Sequence, residues 1–500
     1  MLNMPLITRR SLRSRQAYLM SLARCARSCA SLLGAAILGT AAACANFDVT
    51  NPNQPTLDDL LANPTRAKLS AAATGLFSRS RSEITSFIWR VGSMGREGIN
   101  LAGNNQPDYQ EPYFGPLSPS GFGGALWTSR YGLIRDANTY LDALGRTGDL
   151  SSGEKAVAQG VAETLKALAF MYIIETRAKL GAPVDVGRAI DAAPAPFVSE
   201  DSVYGYAIGL FNDAYGKLQG NAAVAFPFPL PPGYSGFDTP ASFAQFVRAL
   251  TAKAYVLRAT AGCGGACYTS ALTALTSSFI DATNAAALQN GVYFNFSNAP
   301  SDQVNDLSEP LNGVRYFADS LILYQKVQYS GVTPDNRLTS KTAAATAEAP
   351  QSIAGVDITG TLKFTSYFTN GQPDPAHPIP IIKNEELILL RAEAEWFATT
   401  PNKTQAVRDL DFVRTNSGGL PPSGLTAVSS DAAFISALLY EREFSLLWEQ
   451  GTTWIDARRF NRLSTIPLGV TNGSVPAVMP IPSAECAARS LGGSCSPLGS

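Results

Sequence analysis

The sequence predicts a mainly α protein: paired amphipathic helices form a core, and an irregular, loop-rich face carries short strands. Three observations predict it. Apolar residues recur at helical spacing in segments separated by turns, as at Val157, Val161, Leu165, Leu168 and Tyr172. The stretches between are crowded with Gly, Pro, Asn and Ser, and strand-like runs such as 360–368 are short. A chain of 500 residues with 45% hydrophobic content can bury a large core, which argues against disorder. The formal net charge of -1 offers no broad basic surface and argues against nucleic acid as a partner.

Residues 1–43 read as a signal peptide. Arg9, Arg10, Arg13, Arg15, Arg24 and Arg27 precede an uncharged run, 28–43, that is short for a spanning helix and ends in small residues. Thr8-Arg9-Arg10-Ser11-Leu12 partly matches a twin-arginine signal, so two export routes stay open. Nothing after residue 43 reads as long and apolar enough to cross a bilayer. Ala41-Ala42-Ala43-Cys44 is similar to a bacterial lipobox, in which Cys44 would become the lipidated first residue. Leucine is the usual residue where Ala41 stands, so ordinary cleavage beside an incidental cysteine is the competing reading.

Residues 44–63 form a Pro- and Asn-rich leader expected to be a tether, and 64–500 a single domain. Its helices are expected at 64–82, 127–144, from Val157 to a stop at Lys179-Leu180-Gly181, and at 203–218, 242–260 and 268–283. Three more are expected at 384–399, 403–416 and 431–450. Loops are expected near 100–124, 226–237 and 284–382. Of the cysteines beyond Cys44, Cys263 and Cys267 form one local pair and Cys486 and Cys495 another, each among glycines that let the chain fold back to disulfide distance. A four-cysteine zinc site competes, but the spacings are not the usual ones.

Catalytic motifs are scarce. The single histidine, His377, sits between prolines in a loop, which removes multi-histidine metal sites and weakens Ser-His-Asp chemistry. No G-x-S-x-G, P-loop or H-E-x-x-H occurs. Glu441 and Glu443 diverge around a helix, and Glu385 and Glu386 sit at a helix start where acids favour the dipole, so neither makes a glycosidase pair. No cofactor and no metal is expected.

One stretch concentrates charge among tryptophans: YEREFSLLWEQGTTWIDARRF, residues 440–460. Its helical stripe of Leu438, Leu439, Arg442, Glu443, Leu446 and Leu447 sets two charges on an apolar face. Buried charges must be paired, so Arg442 and Glu443 are expected to join Asp456, Arg458 and Arg459 in a structural network.

The same residues carry a resemblance. Glu441-Arg442-Glu443, Leu446, Glu449-Gln450-Gly451 and Trp454-Ile455-Asp456-Ala457-Arg458-Arg459 resemble the C-terminal signature of the SusD/RagB family, departing at Phe444, Gln450, Thr453 and Ala457. Cys44 to Asn53 is similar to the family's leader after the lipobox. Trp127, Tyr131, Ile134 and Asn138 resemble its W-x-x-x-Y-x-x-I-x-x-x-N helix, Leu180-Gly181-Ala182-Pro183 its Y-G-x-V-P ending, and Leu390 to Ala394 with Ala406 to Arg414 its L-x-R-A-E-A helix and partner. The resemblance implies a helical core with tetratricopeptide-like pairs in a cell-surface, outer-membrane lipoprotein. It further implies capture of glycan or another oligomeric nutrient for delivery to a SusC-like TonB-dependent transporter, without catalysis.

Aromatic faces stack on the apolar face of a sugar ring while amides satisfy its hydroxyls. Asn104, Asn105, Tyr109, Tyr113 and Phe114 supply that mixture in one loop, and Phe228, Tyr234 and Phe237 supply aromatics in another. Two readings compete with nutrient capture. A secreted glycan-active hydrolase would need two convergent carboxylates, and a helical-repeat scaffold binding only proteins would show a large exposed apolar groove.

Overall fold

Ser151 opens the longest helix through a capping box, its hydroxyl accepting from Glu154 N at 3.3 Å while Glu154 Oε2 accepts from Ser151 N at 2.9 Å. A computed structural model provides the fold and describes residues 57–102, 106–189, 191–353, 356–468 and 475–498. Residues 1–43, Cys44, Asn104 and Asn105 lie outside the described residues.

The helices begin with α1 (Leu57–Ala62), α2 (Arg66–Arg81), α3 (Ile84–Met94) and α4 (Gln106–Phe114). They continue with α5 (Thr128–Arg146), α6 (Ser152–Arg177), α7 (Glu200–Gly220), α8 (Pro240–Arg258) and α9 (Gly265–Leu275). From α5 to α9 each helix packs on its successor, so the chain stacks helix pairs as a helical repeat does. After a long excursion come α10 (Ser320–Lys326), α11 (Asn336–Lys341), α12 (Asn384–Phe397), α13 (Lys403–Asn416), α14 (Asp431–Ser445), α15 (Thr452–Arg459) and α16 (Ser483–Ala488). Helix α12 packs on α9, α13 and α14, which returns the chain to the stack.

Helix α6 is the central post, and every residue from Thr164 to Arg177 is buried. Within the described residues, 152–180 does meet the length and apolarity of a membrane span, contrary to expectation, but 89% of its apolar window is buried inside the fold. It is a core helix. The tether expectation also fails in part: α1 places Leu60, 7% exposed, in the main core. Helix α3, which periodicity did not single out, buries Ile84, Phe87, Ile88, Trp89, Val91 and Met94.

A smaller core holds α12 to α14 together, with Trp396 and Phe434 stacked at 4.1 Å and 5°. The expected 431–450 helix ends at Ser445, because the chain turns through Trp448 (φ 57°) and Gly451 (φ 65°) before α15. A Cβ on Gly451 would lie 3.0 Å from Gly92 N, so the turn fits directly against α3.

The 284–382 segment is less irregular than expected. It forms two-stranded antiparallel sheets, of which Thr342–Ile353 with Val356–Phe364 is the longest. The strand Gly291–Phe294, here β1, pairs with Ile379–Lys383, here β2. The expected 100–124 loop also contains α4. The cysteines form two bridges, Cys263 to Cys267 and Cys486 to Cys495, each with Cα atoms 5.7 Å apart.

Candidate binding cleft

Strand β1 builds the site. Its pleat sends Val292 and Phe294 into the core and leaves Tyr293 half-buried on the outer side, and the alternation runs on past its end with Asn295 half-buried and Phe296 buried at the cleft wall. Residues 232–237 lie across it, so close that a Cβ on Gly233 would collide with the Tyr293 carbonyl. The result is an open cleft of about 770 Å3, within the usual range for ligand sites.

Its apolar wall is Phe237 and Phe279, edge to face at 4.8 Å, with Tyr293 beside them. Its polar rim is Ser235, Gln289, Asn290 and Asn295. The Tyr293 hydroxyl donates to the Gln289 carbonyl, which fixes the ring. Gln289 is held from below, its amide donating to Glu385 Oε2 at 3.1 Å and accepting from Lys383 Nζ at 3.3 Å. Lys383 in turn pairs with Glu449 at 2.7 Å and Glu385 at 3.1 Å. Burial opposes both charges, yet Lys383 and Lys341 hold the Glu385 carboxyl down at about 2, and Glu449 and Glu385 hold Lys383 above its ordinary value. The cleft rim therefore rests on a buried ionic platform.

The aromatics singled out from sequence are divided by the fold. Phe237 lines the cleft. Phe228 and Tyr234 do not, being 5% and 2% exposed, with Tyr234 stacked on Phe243 at 5.8 Å. Tyr109 and Tyr113 point inward from α4 into a core with Ile99, Leu101 and Phe317, and Phe114 packs half-buried against it. Their rings are core, because a helix occupies what reads as a loop. Tyr293, Asn295, Phe279, Gln289 and Asn290 were missed. The signal for two of them was present in Val-Tyr-Phe-Asn-Phe, residues 292–296, whose alternation is that of a half-buried strand.

The charged C-terminal stretch is structural in part as expected. Arg442 Nε donates to Asp456 Oδ2 at 2.7 Å, Arg459 Nε donates to Asp456 Oδ1 at 2.9 Å, and Arg459 grips both oxygens of Glu393 at 2.5 and 2.6 Å. Two members differ. Glu443 pairs with Lys326 of α10 at 2.7 Å, and Arg458 donates to the Glu175 carbonyl at 2.7 Å with its guanidinium 4.6 Å from the Trp454 ring. Both find nearer partners outside the motif, in elements remote in sequence. Of the acids considered for catalysis, Glu441 is tied to Arg337 and Arg414 at 2.7 and 2.8 Å, and Glu386 to Lys253 at 3.0 Å. His377 lies in its loop with Nδ1 3.0 Å from the Pro378 carbonyl.

The fold is thus a stacked-helix scaffold that carries a strand-and-loop cleft. Comparison with solved structures places the fold more narrowly. NanU of B. fragilis is similar at 16% identity and TM-score 0.59, over 88% of this chain and 98% of that one. A SusD superfamily protein of Parabacteroides distasonis matches at 15% identity and TM-score 0.62, over 84% and 97%. A laminarin-binding SusD-like protein matches at 15% identity and TM-score 0.54, over 85% and 98%. No family profile and no curated protein matches the sequence. The chain has the SusD-like, mainly α fold.

Proposed function

We propose that this chain is a cell-surface nutrient-binding lipoprotein of the SusD/RagB kind, anchored in the outer membrane through Cys44. It captures glycan in the Tyr293 cleft and delivers it to a SusC-like TonB-dependent transporter. The observation that carries this reading is the cleft itself, where four aromatic residues, Phe237, Phe279, Tyr293 and Phe296, line one space with amide and hydroxyl groups on a SusD-like scaffold. A neighbour in structure described as laminarin-binding supports a carbohydrate ligand. Catalysis is not part of the reading, because Glu385, Glu386, Glu441 and Glu443 each engage a cation.

Retention of the protein by polysaccharides cast into native gels tests the capture step. The wild type is expected to be retarded by at least one polysaccharide and the Tyr293→Ala variant to run freely. Equal retardation of the two would place the ligand elsewhere. Purification from the native envelope tests delivery, with a diacylated Cys44 and a co-purifying TonB-dependent transporter expected. A soluble, unlipidated protein without that transporter would overturn the anchor and the partner.

A further inference from the structure

The polar groups of the cleft share one property that narrows its ligand. Ser235, Gln289, Asn290, Tyr293 and Asn295 are all neutral, and among the described residues no Asp, Glu, Lys, Arg or His lines the cleft. Asp238 and His377 adjoin lining residues in sequence without lining it.

Charge lies near but is already matched. Behind Asn295, Arg81 donates to the Asn295 carbonyl at 2.6 Å and forms an ion pair with Asp302. Beneath Gln289, Lys383 is only 1% exposed and shared between Glu385 and Glu449. An anionic ligand would thus meet amides and ring faces. Losing water there without a counter-charge is unfavourable, and the negative face of an aromatic ring repels an anion. A neutral pyranose loses little, since its C–H face meets Phe237, Phe279 or Tyr293 and its hydroxyls exchange water for amides.

We infer that the cleft selects uncharged oligosaccharides and rejects uronate-bearing, sialylated or sulfated ones. The inference rests on the glycan-capture reading. Asn295 is the specificity position, because it lies half-buried just past β1 and lines the cleft, so that a cation placed there would adjoin the ligand space.

Two probes decide it: a neutral β-glucan and polygalacturonate, each at low and at moderate salt, with wild type, Tyr293→Ala and Asn295→Lys. The wild type is expected to bind the β-glucan at least about tenfold more tightly than polygalacturonate, and Asn295→Lys to narrow or reverse that ratio while Tyr293→Ala loses both. Polygalacturonate bound as tightly as β-glucan, with loss in Tyr293→Ala, would overturn the neutral selectivity and leave the capture reading standing. Binding of neither probe would overturn the selectivity and leave capture to the wider polysaccharide screen, and binding indifferent to Tyr293→Ala would overturn the selectivity of this cleft and place the ligand elsewhere. Circular dichroism of each variant separates lost binding from lost fold.

Discussion

Arg442 and Asp456, one on α14 and the other on α15, meet at 2.7 Å with their side chains 1% and 3% exposed. The carboxylate also accepts from Arg459, so one buried acid joins two guanidiniums. Burial opposes ionisation, yet the arginines hold the Asp456 carboxyl below its ordinary value. Its removal should strand Arg442, while Arg459 keeps Glu393.

Asp456→Ala is accordingly expected to cost about 3–5 kcal/mol, the range for breaking one side of a buried pair. Glu443→Gln keeps a hydrogen-bonding side chain beside Lys326, which at 23% exposed retains water although Glu443 itself is 8% exposed, and should cost less, about 1–3 kcal/mol. Urea unfolding of the two variants checks this, and equal losses would show that the network is not centred on Asp456.

Gly98→Ala should destabilise by about 1–3 kcal/mol through overpacking. Its Cβ would lie 2.7 Å from the Phe317 carbonyl and 2.8 Å from the Trp448 ring. Gly75→Ala on α2 has nothing within 4 Å and should gain about 0.5–1 kcal/mol from helix propensity. Thermal melts that moved both variants in the same direction would contradict the close approach at Gly98.

Stability should peak on the acid side of neutrality. Burial pushes Glu97 and Glu175 up to about 7 from an ordinary 4.5, against the Trp448 amide for Glu97 and Lys253 for Glu175. An acid raised in this way holds its proton more tightly when folded. Its contribution is full below 4.5 and is lost as pH rises through about 7. Glu385, held at about 2, acts oppositely and loses its contribution as pH falls from 4.5 through about 2. With one histidine in the chain, the 4.5-to-7 limb belongs to the buried acids. Melting temperature should therefore fall between pH 5 and pH 8, and Glu175→Gln should flatten that fall. An unchanged slope in Glu175→Gln would remove Glu175 from the cause.

Opening the Cys486–Cys495 bridge, which spans nine positions, should cost about 2–3 kcal/mol by the loop-entropy relation. Cys486 is fully buried beside the core, so the loss includes packing. Scanning calorimetry of Cys495→Ala should show a melt several degrees lower, and a shift under about one degree would mean that the C-terminal segment is held by other contacts.

Much of the fold was legible because helical periodicity and helix stops are local. The stop at Gly181 follows a 3-10 turn, Ala178–Leu180, in the structure, and the buried pairing of Arg442 followed from its place on an apolar stripe. The site was less legible. Phe237 and Tyr234 are three residues apart in one loop, yet one faces the cleft and the other stacks in the core. No local pattern separates them, because the difference is made by what each meets: Phe279 in one case and Phe243 in the other.

By itself the sequence determined most of the longer helices, the local cysteine pairs and the need to neutralise buried charge, since each follows from spacing or from the cost of an unpaired ion. The tertiary structure decided which partner each charge takes and where the rings converge. Glu443 chose Lys326 across 117 positions, and Tyr293 came to line a cleft only where residues 232–237 cross β1. Both depend on contacts between segments distant along the chain, and only the packed core brings those together.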